Sequence, residues 1–134
     1  MSDFDVVFID DDVTLTKIFQ YFVLTKYKEW RFRTFSNSAI AYDQIVNQKI
    51  SADVWIVDMM MSGKNGTQIA EAIRNNQNGH EPIVLAHTSM DQIGLFNNAE
   101  YKGRLKHFSG VFNKGDGFSD LLSLVDNWVT QAQH

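Results

Sequence analysis

An α/β fold with five parallel strands, doubly wound with helices on both faces of the sheet, is what this sequence predicts. Short apolar runs alternate with helical patterns from end to end, the signature of repeated βα units. The runs are continuous rather than alternating, as expected of strands covered on both sides. Two of them, Val6 to Ile9 and Val54 to Val57, end directly on aspartates, and no linker, repeat or low-complexity tract divides the 134 residues.

The first strand is Val6 to Ile9, followed by Asp10, Asp11 and Asp12. Leu15, Ile18, Phe19, Phe22 and Val23 recur at helical spacing, with Asp12 placed to cap the first turn. Trp30 to Phe35 alternates apolar residues with Arg31 and Arg33, the pattern of an edge strand. Asn37 or Ser38 starts a second helix whose Ile40, Ala41, Ile45 and Val46 are expected to face the sheet. Val54 to Val57 is the third strand and stops at Asp58. Ile69, Ala70 and Ile73 mark a third helix that ends in the polar run Asn75 to Gly79. Pro82 introduces the fourth strand, Ile83 to Ala86. From Met90 to Ser109 the glycines and asparagines allow only a short or frayed fourth helix. Val111 to Asn113 is a short fifth strand, and Phe118, Leu121, Leu122, Val125, Trp128 and Val129 give the clearest helical stripe of the chain.

Composition narrows the function classes. With 44% hydrophobic residues the chain can close one ordinary core, and residues 1–134 are expected to form a single domain. The absence of cysteine excludes disulfides and thiolate metal sites. The amino terminus, MSDFDVV, has neither a basic nor a long apolar stretch, and no run reaches the roughly 20 apolar residues of a membrane helix. A cytoplasmic protein without membrane contact is the expectation. A net charge of -4 offers no global field for nucleic acid, so no direct nucleic-acid partner is expected.

In an open α/β sheet, ligands bind beyond the carboxyl ends of the strands. Asp10, Asp11 and Asp58 all fall there, and if strands one and three are neighbours, three carboxylates converge. Like charges so placed repel unless a cation or proton intervenes. Hard oxygen donors with no thiolate favour Mg²⁺, with Mn²⁺ as a substitute, over zinc. Mg²⁺ takes one or two carboxylates, which leaves an aspartate free to attack phosphorus and form an acyl phosphate. Lys114, at the end of the fifth strand, supplies a cation for the transferring oxygens, and Thr88 or Ser89 supplies a hydroxyl at the end of the fourth.

On these residues the chain resembles, along essentially its whole length, the receiver domain of bacterial two-component response regulators. "VVFIDDD" is similar to the family's acidic pair, on Asp10 and Asp11. "VWIVDMMMSGKNG" resembles the phosphoacceptor segment, with Asp58 as acceptor and Gly66 as the turn glycine. "PIVLAHTS" is similar to the fourth-strand hydroxyl motif and "GVFNKG" to the strand that delivers the lysine. The resemblance implies a flavodoxin-like (βα)5 fold of strand order 2-1-3-4-5 and a stand-alone receiver like the chemotaxis regulator. It also implies a phosphoacceptor switch rather than an enzyme, assisting only its own phosphorylation and dephosphorylation. A sensor histidine kinase or a histidine phosphotransfer protein would donate the phosphoryl group to Asp58. Asp10, Asp11, Asp58 and the main-chain carbonyl of Met60 would hold Mg²⁺, Lys114 would pair with the acceptor, and the fourth-strand hydroxyl would turn toward the phosphoryl group. No output domain fits after the fifth helix, so the chain acts through a protein target or belongs to a larger regulator.

Five positions depart from that pattern. Counted from Pro82, the hydroxyl would fall on position 87, which is His87; Thr88 comes one residue late, but Thr88 and Ser89 match the hydroxyl-then-small pattern, and Thr88 is favoured. Gly115 follows Lys114 where the family usually has a cis proline. Val111 stands at the place of the switch aromatic, while alternation sends the neighbouring Phe112 to the other face. Met60 and Met61 replace polar or proline residues, so nothing at Met60 orients an attacking water, and slow hydrolysis of the aspartyl phosphate is expected. The methionines read either as core fillers or as a soft partner surface. Lys102, Arg104, Lys106 and His107, in a stretch a few residues longer than usual, read as a partner surface or, the favoured reading, as a solvated face.

Two rivals start from the same residues. Asp10, Asp12 and Thr14 fit the D-x-D-x-T pattern of haloacid-dehalogenase-type phosphatases, with Asp10 as nucleophile and Asp12 as acid/base, but this leaves Asp58 unexplained and lacks a late acidic pair. The other is a receiver-like interaction module that is not phosphorylated.

Overall fold

A computed structural model describes residues 4–76, 81–89, 103 and 105–132. Its strands are β1 (Asp5–Ile9), β2 (Arg31–Phe35), β3 (Val54–Asp58), β4 (Ile83–Thr88) and β5 (Gly110–Asn113). The α-helices among the described residues are α1 (Val13–Lys26), α2 (Ser38–Val46), α3 (Gly66–Asn75) and α4 (Gly117–Ala132). The strands form one parallel sheet of order β2-β1-β3-β4-β5, the order the resemblance implies. The fourth helix expected between Met90 and Ser109, with Lys102 and Arg104, lies mostly outside the described residues; Leu105–His107 is a 3₁₀ turn.

Alternation along the strands sorts the core into two layers. Val6, Phe8, Val54, Ile56 and Leu85 meet α1 and α4 through Phe19, Val23, Leu121, Leu122 and Val125 on one face. On the other face, Val7, Ile9, Trp55, Val57 and Val84 meet α2 and α3 through Ala41, Ile45, Ile69 and Ile73. Every residue of β3 is buried, which is why its sequence reads as an unbroken apolar run.

Helix starts follow the side chains. Asp12 caps α1 by accepting from the backbone of Thr14 and Leu15, and Asn37, rather than Ser38, caps α2 by accepting from Ile40 N. Asn65 and Gln68 form a reciprocal capping box at α3, a signature that the N-x-x-Q spacing carries. One expectation fails at α2. Ile40 is 52% exposed, because the buried stripe runs through Ser38, Ala41 and Ile45 and a helix turns Ile40 to the opposite side. Ser38 is buried because its hydroxyl donates to Ser62 O at 2.9 Å and accepts from Lys64 N at 2.9 Å, tying α2 to the loop after β3.

The loop returns to the sheet at Gly66. Its N–H donates to Met59 O at 3.2 Å, and a Cβ there would strike Asp58 O and come within 2.8 Å of Met59 Cα. Neither obstacle is a flexible side-chain end. Gly66→Ala is therefore expected to lower stability by about 1–3 kcal/mol, read as a lower denaturant midpoint with an unchanged m-value.

Candidate functional site

Asp10 and Asp58 stand at the carboxyl ends of adjacent strands, and Asp11 follows on the exposed side. One oxygen from each of the three carboxylates lies within 4.8 Å of the others. Asp10 and Asp58 are buried, at 1% and 4% exposure. Lys114 reaches back from the end of β5 to place Nζ 3.0 Å from Asp10 Oδ2 and 3.3 Å from Asp58 Oδ1. Each of the three carboxylates also accepts from a backbone N–H. Asp10 Oδ1 accepts from Asp12 N at 2.9 Å, Asp58 Oδ1 from Met60 N at 3.2 Å, and Asp11 Oδ2 from Ser62 N at 3.2 Å.

One ammonium does not balance three carboxylates. Burial, and then the charge of Asp10, push the Asp58 carboxyl up to about 6, against the lowering effects of Lys114 and the Met60 N–H. Burial works against the Lys114 ammonium, but its hydrogen bond and charge pairing with Asp10, then with Asp58, outweigh it and raise its pKa. The donor set is all hard oxygen with an uncompensated negative charge, which fits Mg²⁺ or Mn²⁺ and not a soft metal.

The lysine is aimed without a proline. Asn113 Oδ1 accepts from Gly115 N at 2.7 Å and caps a 3₁₀ turn over Lys114–Asp116. This Asx-type turn fixes the chain just where Lys114 leaves the sheet. The N-x-G spacing around Lys114 is the signal for it.

Thr88 is not brought to the carboxylates. β4 runs regularly through Thr88, and its register pairs Asp58 with His87 and Asn113 with Thr88. His87 therefore leaves the sheet on the Asp58 face and Thr88 on the opposite one. The ring of His87 is 3% exposed and packs against Phe8, Phe112 and Phe118. Burial, and then the nearby Lys114 charge, lower its pKa to about 4, so the imidazole is neutral. Its Nδ1 is buried with no hydrogen-bond partner, an arrangement that costs about 1–3 kcal/mol where it persists. Asp12, the acid/base of the phosphatase reading, is exposed and spends its carboxylate on the α1 cap.

Residues 6–110 match the sequence model of the response regulator receiver domain. The chain belongs to the response regulator receiver family. As a receiver it is a regulatory domain of two-component signalling. It is 28% identical over 90 residues to the sensory transduction protein LytT of Bacillus subtilis (strain 168), a match covering 67% of this chain and 36% of that protein. The receiver thus spans about a third of the length of that relative. It superposes on the signal receiver domain of a DNA-binding response regulator (merR) from Colwellia psychrerythraea 34H with a TM-score of 0.76 at 22% identity, covering 96% of this chain and 99% of that one. A CheY-like receiver domain protein from Methanospirillum hungatei JF-1 gives 0.77 at 13% identity, with 98% of each chain covered. At these identities the two structures establish the shared fold alone.

The raised Asp58 carboxyl has a consequence for stability. The native receiver without metal holds a proton there up to about pH 6, whereas the unfolded chain releases it near 3.8. Ionised Asp58 therefore destabilises the fold above pH 6, and its contribution improves as pH falls from 6 to 4. His87, lowered to about 4, works in the opposite sense over the same window. The two separate in a mutant: Asp58→Asn should exceed wild type in metal-free stability by about 1–3 kcal/mol at pH 7.5, with the gap closing as pH falls toward 4. Denaturation curves at several pH values in chelator check it; a gap that is flat with pH would contradict it.

Proposed function

We propose that this receiver is a phosphoacceptor switch of a two-component system or phosphorelay. It takes a phosphoryl group onto Asp58 from the phosphohistidine of a sensor histidine kinase or a histidine phosphotransfer protein, in the cytoplasm. The observation that carries the reading is the buried Asp58 carboxylate at the sheet rim, within 4.8 Å of Asp10 and Asp11 oxygens and 3.3 Å from the Lys114 ammonium. Residues 1–134 act as one receiver unit. Among the described residues no helix is long and apolar enough to cross a membrane.

In the transfer, an Asp58 carboxylate oxygen forms the new O–P bond as the P–N bond of the donor breaks, and the electron pair returns to the leaving imidazole. Asp11, Asp58 and the Met60 carbonyl, with Asp10 directly or through water, would hold Mg²⁺. The ion supplies charge neutralisation for the phosphoryl oxygens. Lys114 moves its pairing from the Asp58 carboxylate to a phosphoryl oxygen, and Asp10 keeps it anchored through the 3.0 Å contact. Met60 is 57% exposed beside the acceptor and offers an incoming water neither a base nor a hydrogen bond.

Incubation with Mg²⁺ and acetyl phosphate, followed by mass analysis of the acyl phosphate, tests the reading. Wild type should carry one label on Asp58, lost in Asp58→Asn and cut by at least about 100-fold in rate in Lys114→Ala. A label on Asp10 with turnover would instead indicate a phosphatase, and no label a module that works without phosphorylation. Loss of the label should be slow, over minutes or longer, and faster in Met60→Glu; disappearance from wild type within seconds would remove the role given to Met60.

A further inference from the structure

His87 is a buried polar group that the scheme above does not use. It is the register partner of Asp58 on the neighbouring strand, so the two side chains stand side by side on one face of the sheet, about 5 Å apart at their bases. Three phenyl rings wall the imidazole, with centroids 5.9 Å away at Phe8, 5.7 Å at Phe118 and 6.4 Å at Phe112. None of these rings can satisfy a ring nitrogen by a conventional hydrogen bond, and Nδ1 is buried without a partner. An imidazole enclosed this way, beside a carboxylate rather than in the middle of the core, is poorly explained as packing. A phenylalanine would complete the same aromatic box without stranding a polar atom.

We propose that His87 is the phosphoryl-oxygen donor of the fourth strand: when Asp58 carries a phosphoryl group, the imidazole donates a ring N–H to one of its oxygens. This rests on the reading of Asp58 as acceptor. The ring is neutral in the resting state, so it has one N–H to donate and brings no additional charge. Phosphorylation adds oxygen acceptors on the Asp58 side of the ring. Because the imidazole packs on Phe112 of β5 and on Phe118 in the first turn of α4, any turn toward the phosphoryl group is felt at both elements. The step is a hydrogen bond only, and no covalent change at His87 is involved.

Beryllofluoride with Mg²⁺, which occupies an acceptor aspartate as a phosphoryl group does, provides the probe. Side-chain ¹⁵N spectra of the full chain should show the His87 ring N–H becoming protected and shifting downfield on loading, with the resonances of Phe112 and Phe118 moving as well. His87→Phe should melt no lower than wild type when unloaded, since it removes the stranded Nδ1, and bind beryllofluoride at least about tenfold more weakly. His87→Thr, which restores a shorter donor, should recover part of that loss. Unshifted His87 ring nitrogens, or beryllofluoride affinity in His87→Phe within twofold of wild type, would overturn the inference while leaving Asp58 labelled. If wild type neither binds the probe nor labels at Asp58, the acceptor reading fails and this one fails with it. Should His87→Phe not fold, the wild-type ring spectrum decides alone.

Discussion

Three carboxylates share one rim of the sheet with a single ammonium, and the rest of that end of the molecule is arranged around the imbalance. Burial makes it consequential. Were Asp10 and Asp58 solvated, water would screen their repulsion; at 1% and 4% exposure they interact through protein, where the same charges act several times more strongly. Lys114 can meet both at once because β5 lies beyond β4 and its end points back toward β3. Each of the three carboxylates is in addition pinned by a backbone N–H from its own loop or the next, so the cluster cannot relax by swinging apart. A site held this way is poised for any ligand that changes the local charge, whether a divalent cation or a phosphoryl group.

Much of this was legible in the sequence, because continuous apolar strands and their carboxylate ends are properties of single short segments. The five strands and the cap at Asp12 follow from such segments, and the convergence of Asp10, Asp11, Asp58 and Lys114 from the strand order that the family resemblance implied. What was not legible depends on pairs of distant residues. The Ser38 hydroxyl bridging Ser62 O and Lys64 N joins positions 24 and 26 residues apart, and nothing near Ser38 announces it. Ile40 was misplaced because two neighbouring apolar residues, Ile40 and Ala41, cannot both face one sheet. The choice between His87 and Thr88 turned on where β4 stops. An apolar run shows the core of a strand but not its end, and here the strand continues two residues past Ala86, into polar positions.

The run of methionines after Asp58 resolves in the same way. Met59 and Met61 are buried, at 3% and 9% exposure, while Met60 between them is 57% exposed. The core-filler reading therefore holds for Met59 and Met61, while Met60 faces solvent. Two methionines fill the space where β3 gives way to the loop, and the third is a bare apolar surface at the lip of the carboxylate cluster.

A histidine beside Asp58 also changes what the other groups must do. A hydroxyl is small and rotates freely, so it can serve the resting and the loaded site from one backbone position. An imidazole is larger and needs an enclosure, and Phe8, Phe112 and Phe118 provide it from β1, β5 and α4. The enclosure keeps the ring neutral, since burial and the Lys114 charge both oppose its protonation. A neutral ring can orient an oxygen but cannot neutralise one. Charge compensation for anything bound at Asp58 is thus left to Lys114 and to a cation among the carboxylates, and the aromatic box makes any movement of the ring a movement of the β5 and α4 face.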